Sequence, residues 1–334
     1  MGNREKLSLV ADMSNPDKLL MLLLSKKGEY ISGEEISERF GVTRTAIWKH
    51  INLLRQMGYK IESSTRLGYR LVRSPDLLLP EEVWARVKLS FLGRRIYYFT
   101  TVGSTNDEAR KLALEGAVHG TLLLAEEQVG GKGRMGRAWV SPRGAGIWLS
   151  MILRPDLVPY EAPKLTMLTA VAVAETIKGG TGLDAAIKWP NDVMINGKKV
   201  CGILTEISAE MDAVNYVVIG IGINVNNDDF PGELKDRATS LKLEKKEAAS
   251  RIEVLTGFLE SFENYYFTAM NQGFKNIFEK WRSLCCNLAR PVKIIRKNDS
   301  FDGIALDIDD EGALMVKRND GEIVRVLSGD VSLR

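Results

Sequence analysis

Hydrophobic positions along the 334-residue chain change style twice. Residues 15–73 carry helical spacing followed by a short alternation. Asn15 followed by Pro16 is a helix start, because proline at the first helical position gives up an N–H that has no partner there. The apolar run 19–24 follows, and Gly28 can end it. Ser32-Gly33-Glu34-Glu35 has the spacing of a capping box and predicts a second helix to Phe40, stopped by Gly41. Thr43 is placed to cap a third helix, in which Ile47, Ile51 and Leu54 recur at helical spacing. Residues 59–63 and 69–72 read as two strands joined by Thr65-Arg66-Leu67-Gly68.

Residues 80–270 mix both periods. Strands are predicted at 96–99, 121–126 and 147–153, with a short one before Lys188 and another closed by Gly220-Ile221-Gly222-Ile223-Asn224. A helix follows Gly103-Ser104-Thr105-Asn106, with Ala109, Leu112 and Ala113 on one side. Another covers 162–177 and reads as core. Asn196-Gly197 between strand-like arms (193–206) is a hairpin signal. Residues 244–272 and 274–281 read as helices. After residue 285 only short strands remain (291–295, 301–308, 313–317, 323–327), separated by Asp/Gly turns such as Asn319-Asp320-Gly321. Ser74-Pro75 and Leu79-Pro80 put a boundary near 74–80. Three domains are expected: 1–75, 80–284 and 285–334. The last is too small to be stable alone, so it should dock on the middle one.

Composition narrows the class. Hydrophobic residues make up 45% and charged residues 27%, as in soluble globular proteins. The net charge of +3 does not advertise a polyanion partner. Residues 1–73, however, hold 13 Lys/Arg against 8 Asp/Glu, a basic excess that suits nucleic acid. Three unpaired cysteines, Cys201, Cys285 and Cys286, argue for a reducing compartment. Two distant histidines and no Cys/His cluster predict no structural metal site. The charged start and the shortness of the apolar runs predict a cytoplasmic protein without membrane contact.

The first segment has the helix-turn-helix arrangement with a basic wing. Within the region from Gly33 to Asn52, the third helix turns Arg44, Thr45, Lys49 and Asn52 away from its apolar side. Arg44, Thr45 and Lys49 are expected near base edges, and Arg66 with Arg70 near phosphate. An ordinary solvated helix face is the alternative reading.

Three motifs carry candidate chemistry in the middle segment. Ser104 or Thr105 is an N-cap candidate. The same polar cluster could hydrogen-bond a ligand's carbonyl or amide. Gly130-Gly131-Lys132-Gly133-Arg134-Met135-Gly136-Arg137 concentrates glycines and cations, a combination suited to phosphate oxygens. It is not a Walker loop, since Arg137-Ala138 stands where Lys-Ser/Thr is needed. Gly131, Gly133 and Gly136 satisfy the dinucleotide pattern, but Pro142, Gly144 and Gly146 leave no room for the helix it requires. A loop that folds over a phosphate-bearing ligand survives. Lys188-Trp189-Pro190-Asn191-Asp192 is an uncommon run after a short strand, although a lysine there is ordinarily a surface charge.

These four motifs (103–106, the loop followed by Trp139, 188–192 and 220–224) occur in an order that resembles the biotin–protein ligase family. The winged helix before them resembles its bifunctional members, which also repress biotin genes. The resemblance spans essentially the whole chain. It implies an α+β multidomain fold: a winged helix-turn-helix, a central α/β ligase domain with a mixed, class II synthetase-like sheet, and a small SH3-like C-terminal barrel. It further implies ATP and biotin as substrates with Mg²⁺, a biotin carboxyl carrier protein as lysine acceptor, operator DNA as partner, and a homodimer. Lys188 and Arg134 become the expected catalytic residues. Ser104, Thr105, Asn106, Gln128, Lys132, Gly133, Arg134 and Lys188 are expected at biotin. Arg134, Arg137, Trp139, Lys188, Asn191 and Asn224 are expected at the nucleotide. One departure stands out: the family loop begins Gly-Arg-Gly-Arg, whereas Lys132 replaces the first arginine here and cannot form its bidentate fork. Two alternatives remain at this stage: a lipoate–protein ligase, and a repressor that senses biotin without catalysis.

Overall fold

The computed structural model describes residues 6–9, 14–26, 28–296, 299–327 and 329–333. Strand β1 (Lys6–Leu9) comes first. Helices α1 (Asn15–Ser25), α2 (Gly33–Phe40) and α3 (Arg44–Gln56) and the hairpin β2 (Lys60–Ser64) and β3 (Gly68–Arg73) form the winged helix. Their caps follow the chain's polar punctuation. The Ser32 hydroxyl accepts from Glu35 N (3.0 Å), Thr43 Oγ1 accepts from Ala46 N (3.2 Å), and Gly41 takes the left-handed conformation with φ 63°. Leu19, Leu20, Leu23, Ile36, Ile47, Ile51 and Leu54 are buried together.

Helix α4 (Pro80–Arg86) packs on both α1 and the central unit. In that unit come β4 (Arg95–Phe99), α5 (Thr105–Leu114), β5 (Thr121–Ala125), β6 (Gly146–Leu153) and α6 (Lys164–Thr181). Next are β7 (Ala186–Lys188), β8 (Asp192–Ile195), β9 (Lys198–Ala209) and β10 (Val214–Asn224). Helices α7 (Leu241–Lys245), α8 (Arg251–Gln272) and α9 (Lys275–Leu284) complete it. The sheet runs β1-β4-β5-β6-β10-β9-β8-β7. Only the β4–β5 pairing is parallel, so the sheet is mixed as expected. Alternation along β6 divides its two faces. Trp148 and Ile152 pack toward α5, whereas Ile147, Leu149, Met151 and Leu153 join the core built with α6, α8 and α9.

Several features differ from expectation, the helix α4 among them. Residues 244–272 are not one helix. Lys246 adopts φ 66°, and Ser250 then caps a new helix, so the chain turns between α7 and α8. Strand β1 was not expected. It pairs antiparallel with β4, so chain ahead of the winged helix closes one edge of the central sheet.

Strands β11 (Pro291–Ile295), β12 (Ser300–Ile308), β13 (Leu314–Arg318), β14 (Ile323–Val326) and β15 (Asp330–Leu333) make an antiparallel sheet of order β14-β13-β12-β11-β15. This is the small SH3-like unit. Asn287 and Gly312 dock it on the turn after β7: Trp189 N donates to Asn287 Oδ1 (2.7 Å) and Trp189 Nε1 to the Gly312 carbonyl (3.2 Å). At the other boundary, the buried Arg251 binds Glu126 (2.8 Å) and Asp76 (2.9 Å), and Leu78 N donates to Glu126 (2.9 Å). That network ties the linker after the winged helix to the strand leading into the Gly/Arg loop.

Candidate active site

The α5 side of the sheet holds two adjacent rows of register partners. In the first, Leu204 pairs with Gly220, Gly220 with Ser150 and Ser150 with Leu123. In the second, Lys188 pairs with Asp192, Asp192 with Gly202, Gly202 with Gly222 and Gly222 with Trp148. The glycines clear a floor. A Cβ on Gly220 would strike the Asn106 amide, and one on Gly222 would strike the Trp139 indole. Glycine in a strand interior is unfavourable unless something must approach closely.

Over the first row lies a buried polar cluster. Ser104 occupies the N-cap position of α5 but makes no side-chain cap hydrogen bond. Thr105 donates to Gln128 Oε1 from its backbone N (2.8 Å) and its hydroxyl (3.1 Å). Ser150 Oγ lies 2.6 Å from Asn106 Oδ1 and 2.8 Å from Thr105 Oγ1. Asn106 Nδ2 donates to Glu206 (2.8 Å), and Gln128 Nε2 donates to Ser141 (3.0 Å). The structure thus brings Ser104, Thr105, Asn106 and Gln128 together.

Beside it, the Gly/Arg loop folds back on itself. Gly133 N donates to the Arg137 carbonyl (2.7 Å) and Trp139 N to the Gly131 carbonyl (2.9 Å). A 3-10 turn at Arg134–Gly136 forms the tip, with Met135 in the left-handed region at φ 57°. Each cation in the loop is held by protein oxygen. Lys132 pairs with Asp107 at 2.6 Å. Burial alone would raise the Asp107 carboxyl, but hydrogen bonds from Lys132 and Arg110 outweigh it and hold it below its usual range. Arg134 donates to Asn191 Oδ1 (2.8 Å) and to the Gly329 carbonyl (3.2 Å). Arg137 is hydrogen-bonded to Asp330, on β15. The C-terminal unit therefore reaches the loop directly.

The second row carries Lys188, Asp192 and the half-buried Trp139, whose Nε1 is buried without a hydrogen-bond partner. Among the described residues, no hydrogen bond or ion pair engages the Lys188 side chain. Asn191 donates to the Ile203 carbonyl (2.8 Å), and this holds its oxygen toward Arg134. Asn224, expected at the nucleotide, is buried and donates its amide nitrogen to the Thr239 carbonyl (3.1 Å).

Sequence reasoning missed Ser150, Glu206, Asp107, Lys199 and Asp330. A serine inside the apolar run Ile147 to Leu153 was a usable signal, since a buried hydroxyl needs partners. The others are ordinary charged residues until the fold assembles them.

On the winged helix, Arg44, Thr45, Lys49 and Arg66 are exposed, while Asn52 is half-buried and accepts from Arg55 (3.2 Å). Arg70 is less free than expected for a phosphate contact: it pairs with Glu62 and lies 4.7 Å from the Tyr30 ring centre.

Residues 98–224 match the biotin/lipoate A/B protein ligase family, residues 17–70 an HTH domain, and residues 288–334 the biotin protein ligase C terminal domain. The bifunctional ligase/repressor BirA of Bacillus subtilis is 44% identical over 319 residues, covering 95% of this chain and 98% of the relative. This chain belongs to the bifunctional biotin–protein ligase/repressor family. BirA of Escherichia coli is 31% identical over 330 residues, covering 97% of this chain and 98% of that one. A solved structure of biotin protein ligase from Aquifex aeolicus, in complex with biotin and ATP, matches with a TM-score of 0.62 at 31% identity, over 72% of this chain and 98% of that one. The ligase/repressor relatives match along nearly the whole chain, so catalytic and DNA-binding units occur together as they do in those relatives. Among the described residues, no helix is long and apolar enough to cross a membrane, and no group of three candidate metal ligands occurs.

Proposed function

We propose that the two rows divide the substrates: the polar cluster over Ser150 and Gly220 takes biotin, and the row from Lys188 to Gly222 takes ATP. The observation that carries this reading is Lys188. Of the cations gathered at the site, its side chain alone has no bonding partner among the described residues, and it ends the second row three residues before Asn191, which binds Arg134 of the loop.

Biotin's carboxylate attacks the α-phosphate of ATP. A carboxylate O–P bond forms, the bridging P–O bond breaks, and pyrophosphate leaves. Carboxylate and phosphate repel each other, so a fixed cation between them lowers the barrier, and fixed charges of this kind contribute most of the catalysis in phosphoryl chemistry. Lys188 supplies that charge. Arg134, with the loop amides, covers the adenylate, and Asn191 positions it. Arg137 lies at the phosphate side and Trp139 packs on the intermediate. Ser104, Thr105, Asn106 and Gln128 recognise the biotin ring system, while Lys132 and Gly133 lie over its carboxylate. The acceptor lysine then attacks the anhydride carbonyl. A C–N bond forms and AMP leaves. Mg²⁺ would accompany ATP and would supply charge neutralisation at its phosphates.

The adenylate also acts as corepressor. It favours a two-fold dimer matched to a palindromic operator, with Arg44, Thr45 and Lys49 at base edges and Arg66 at phosphate. The two affinities must then be reciprocally coupled.

Incubation with ATP, Mg²⁺, biotin and a biotin-carrier domain, followed by intact mass, tests the catalytic half. The expected product is the carrier plus one biotinyl group. Turnover with lipoate in place of biotin, or adenylate binding without formation, would overturn it. Dimer affinity with and without biotinyl-adenylate tests the regulatory half, and no change would sink the corepressor reading.

A further inference from the structure

The segment that carries the loop has no core of its own. Between Glu126 and Gly146, Trp139 is half-buried, no apolar side chain is fully buried, and Val129 and Met135 are exposed. A segment with so little burial takes its seat from its ends. Those ends meet at one buried cation, Arg251, at the start of α8. Its Nη2 binds Glu126 (2.8 Å), the residue that follows β5. Its Nη1 donates to the carbonyl of Gly146 (3.1 Å), the residue that opens β6. Gly144 N donates to the Glu126 carbonyl (3.0 Å) and closes the same neck. A second carboxylate comes from the linker after β3. Asp76 accepts from Arg251 Nε (2.9 Å) and also offers its backbone carbonyl to the guanidinium. Leu78 N (2.9 Å) and the Tyr98 hydroxyl (3.2 Å) occupy the other oxygen of Glu126.

A buried ion pair is a costly way to join two parts of a chain, and apolar side chains of similar size hold such a boundary at least as well. What the guanidinium adds is direction, because its flat fork fixes the angle of each partner. We infer that Arg251, Glu126 and Asp76 form a neck clamp that positions the ligand loop, with Asp76 of the linker as its outer jaw. All three are positioning residues that act through the loop. Glu126 and Gly146 set where the segment leaves and rejoins the sheet, and so where Gln128, Arg134 and Trp139 stand over the two rows. A carboxylate outside the four motifs thereby takes part in holding the adenylate. This inference rests on the reading of the loop as the cover of the adenylate.

The test is release of labelled biotinyl-adenylate from the full chain, chased with unlabelled biotin and ATP, beside single-turnover adenylate formation at saturating substrates. Asp76→Asn alters a side chain that is 41% exposed and leaves the Arg251–Glu126 pair in place, so folding is kept. It is expected to speed release about 3- to 10-fold, the effect of weakening one charge-assisted hydrogen bond at a partly exposed site. Formation should stay within about twofold, since Lys188 is untouched and only the hold on the product changes. Glu126→Gln leaves the buried guanidinium short of a charge and should speed release further than Asp76→Asn. Asp76→Glu keeps the charge and should restore slow release. Unchanged release in Asp76→Asn, an equal fall in its rate of formation, or no recovery by glutamate would each overturn the clamp. Arg134→Gly, in the loop itself, separates the two failures. Unchanged release there would overturn the reading of the loop, whereas fast release there with slow release in Asp76→Asn would overturn the clamp alone.

Discussion

The two rows of the site solve opposite problems. Over Ser150, the side chains of Thr105, Asn106, Gln128 and Ser150 are already bonded to one another or to neighbouring groups, as recognition of an uncharged ring system requires. Over Gly222 and around the loop, the charges are parked. Lys132 rests on Asp107, Arg137 on Asp330 and Lys199 on Asp192, and Lys188 rests on nothing. A neutral ligand can be met by a rigid, satisfied network. A polyanion that arrives, reacts and leaves needs cations that can change partners at modest cost. Under the proposed division of the rows, pre-organisation serves the biotin side and exchange of ion pairs the phosphate side.

The largest expected effect breaks the comparison at its centre. Lys188→Ala should lower adenylate formation by about 10²–10³-fold, the range for removing one transition-state donor. Biotin affinity should change little, and equal losses in pyrophosphate exchange and biotin binding would refute the charge-bridging role. Arg134→Gly comes next. It should still form adenylate but release it early, which streptavidin blotting would show as diffuse biotinylation of bystander proteins. A tightly held intermediate would contradict this. On the rigid side, Ser150→Ala should weaken biotin about tenfold and lower stability by about 1–3 kcal/mol, because it leaves buried polar groups short of a partner. Calorimetric titration and thermal unfolding would check both, and a change in KM for ATP without one in biotin would reverse the assignment of the rows.

The smallest effect concerns the three thiols. Burial pushes the Cys285 thiol up to about 12 and also raises Cys286 and Cys201. Thiolate, the reactive form, is then scarce below that range. Maleimide labelling of the native protein should be slow near neutral pH, speed up as pH rises, and reach completion on denaturation. Fast labelling at neutral pH would show that the segment after α9 opens.

Much of this was legible in the residues themselves. The helices of the winged helix follow from Pro16, Ser32, Gly41 and Thr43, because caps and breakers act within one turn. The hairpin at Asn196-Gly197 appears with both residues at positive φ, as its turn chemistry demands. The loop's glycines and cations suggested an anion site, and the structure brings Ser104, Thr105, Asn106 and Gln128 together, with Lys188 in the neighbouring row. The continuous helix at 244–272 did not survive, because helical spacing cannot reveal that Lys246 turns the chain before Ser250 restarts it.

What the sequence determined alone is therefore local: caps, turns, apolar faces, and the residue types able to meet carboxylate and phosphate. Tertiary structure decided the pairings. Asp107 is an unremarked helix residue until it meets Lys132 across the loop. Asp330 gains its role only when a strand near the chain's end reaches Arg137, 193 residues away. Arg251 meets Glu126 and Asp76 only because the core brings three distant segments to one place. The physical reason is the range of the forces involved. Backbone preferences act over a few neighbours and can be read in order along the chain, whereas ion pairs, register and close approach depend on which distant segments the core holds together.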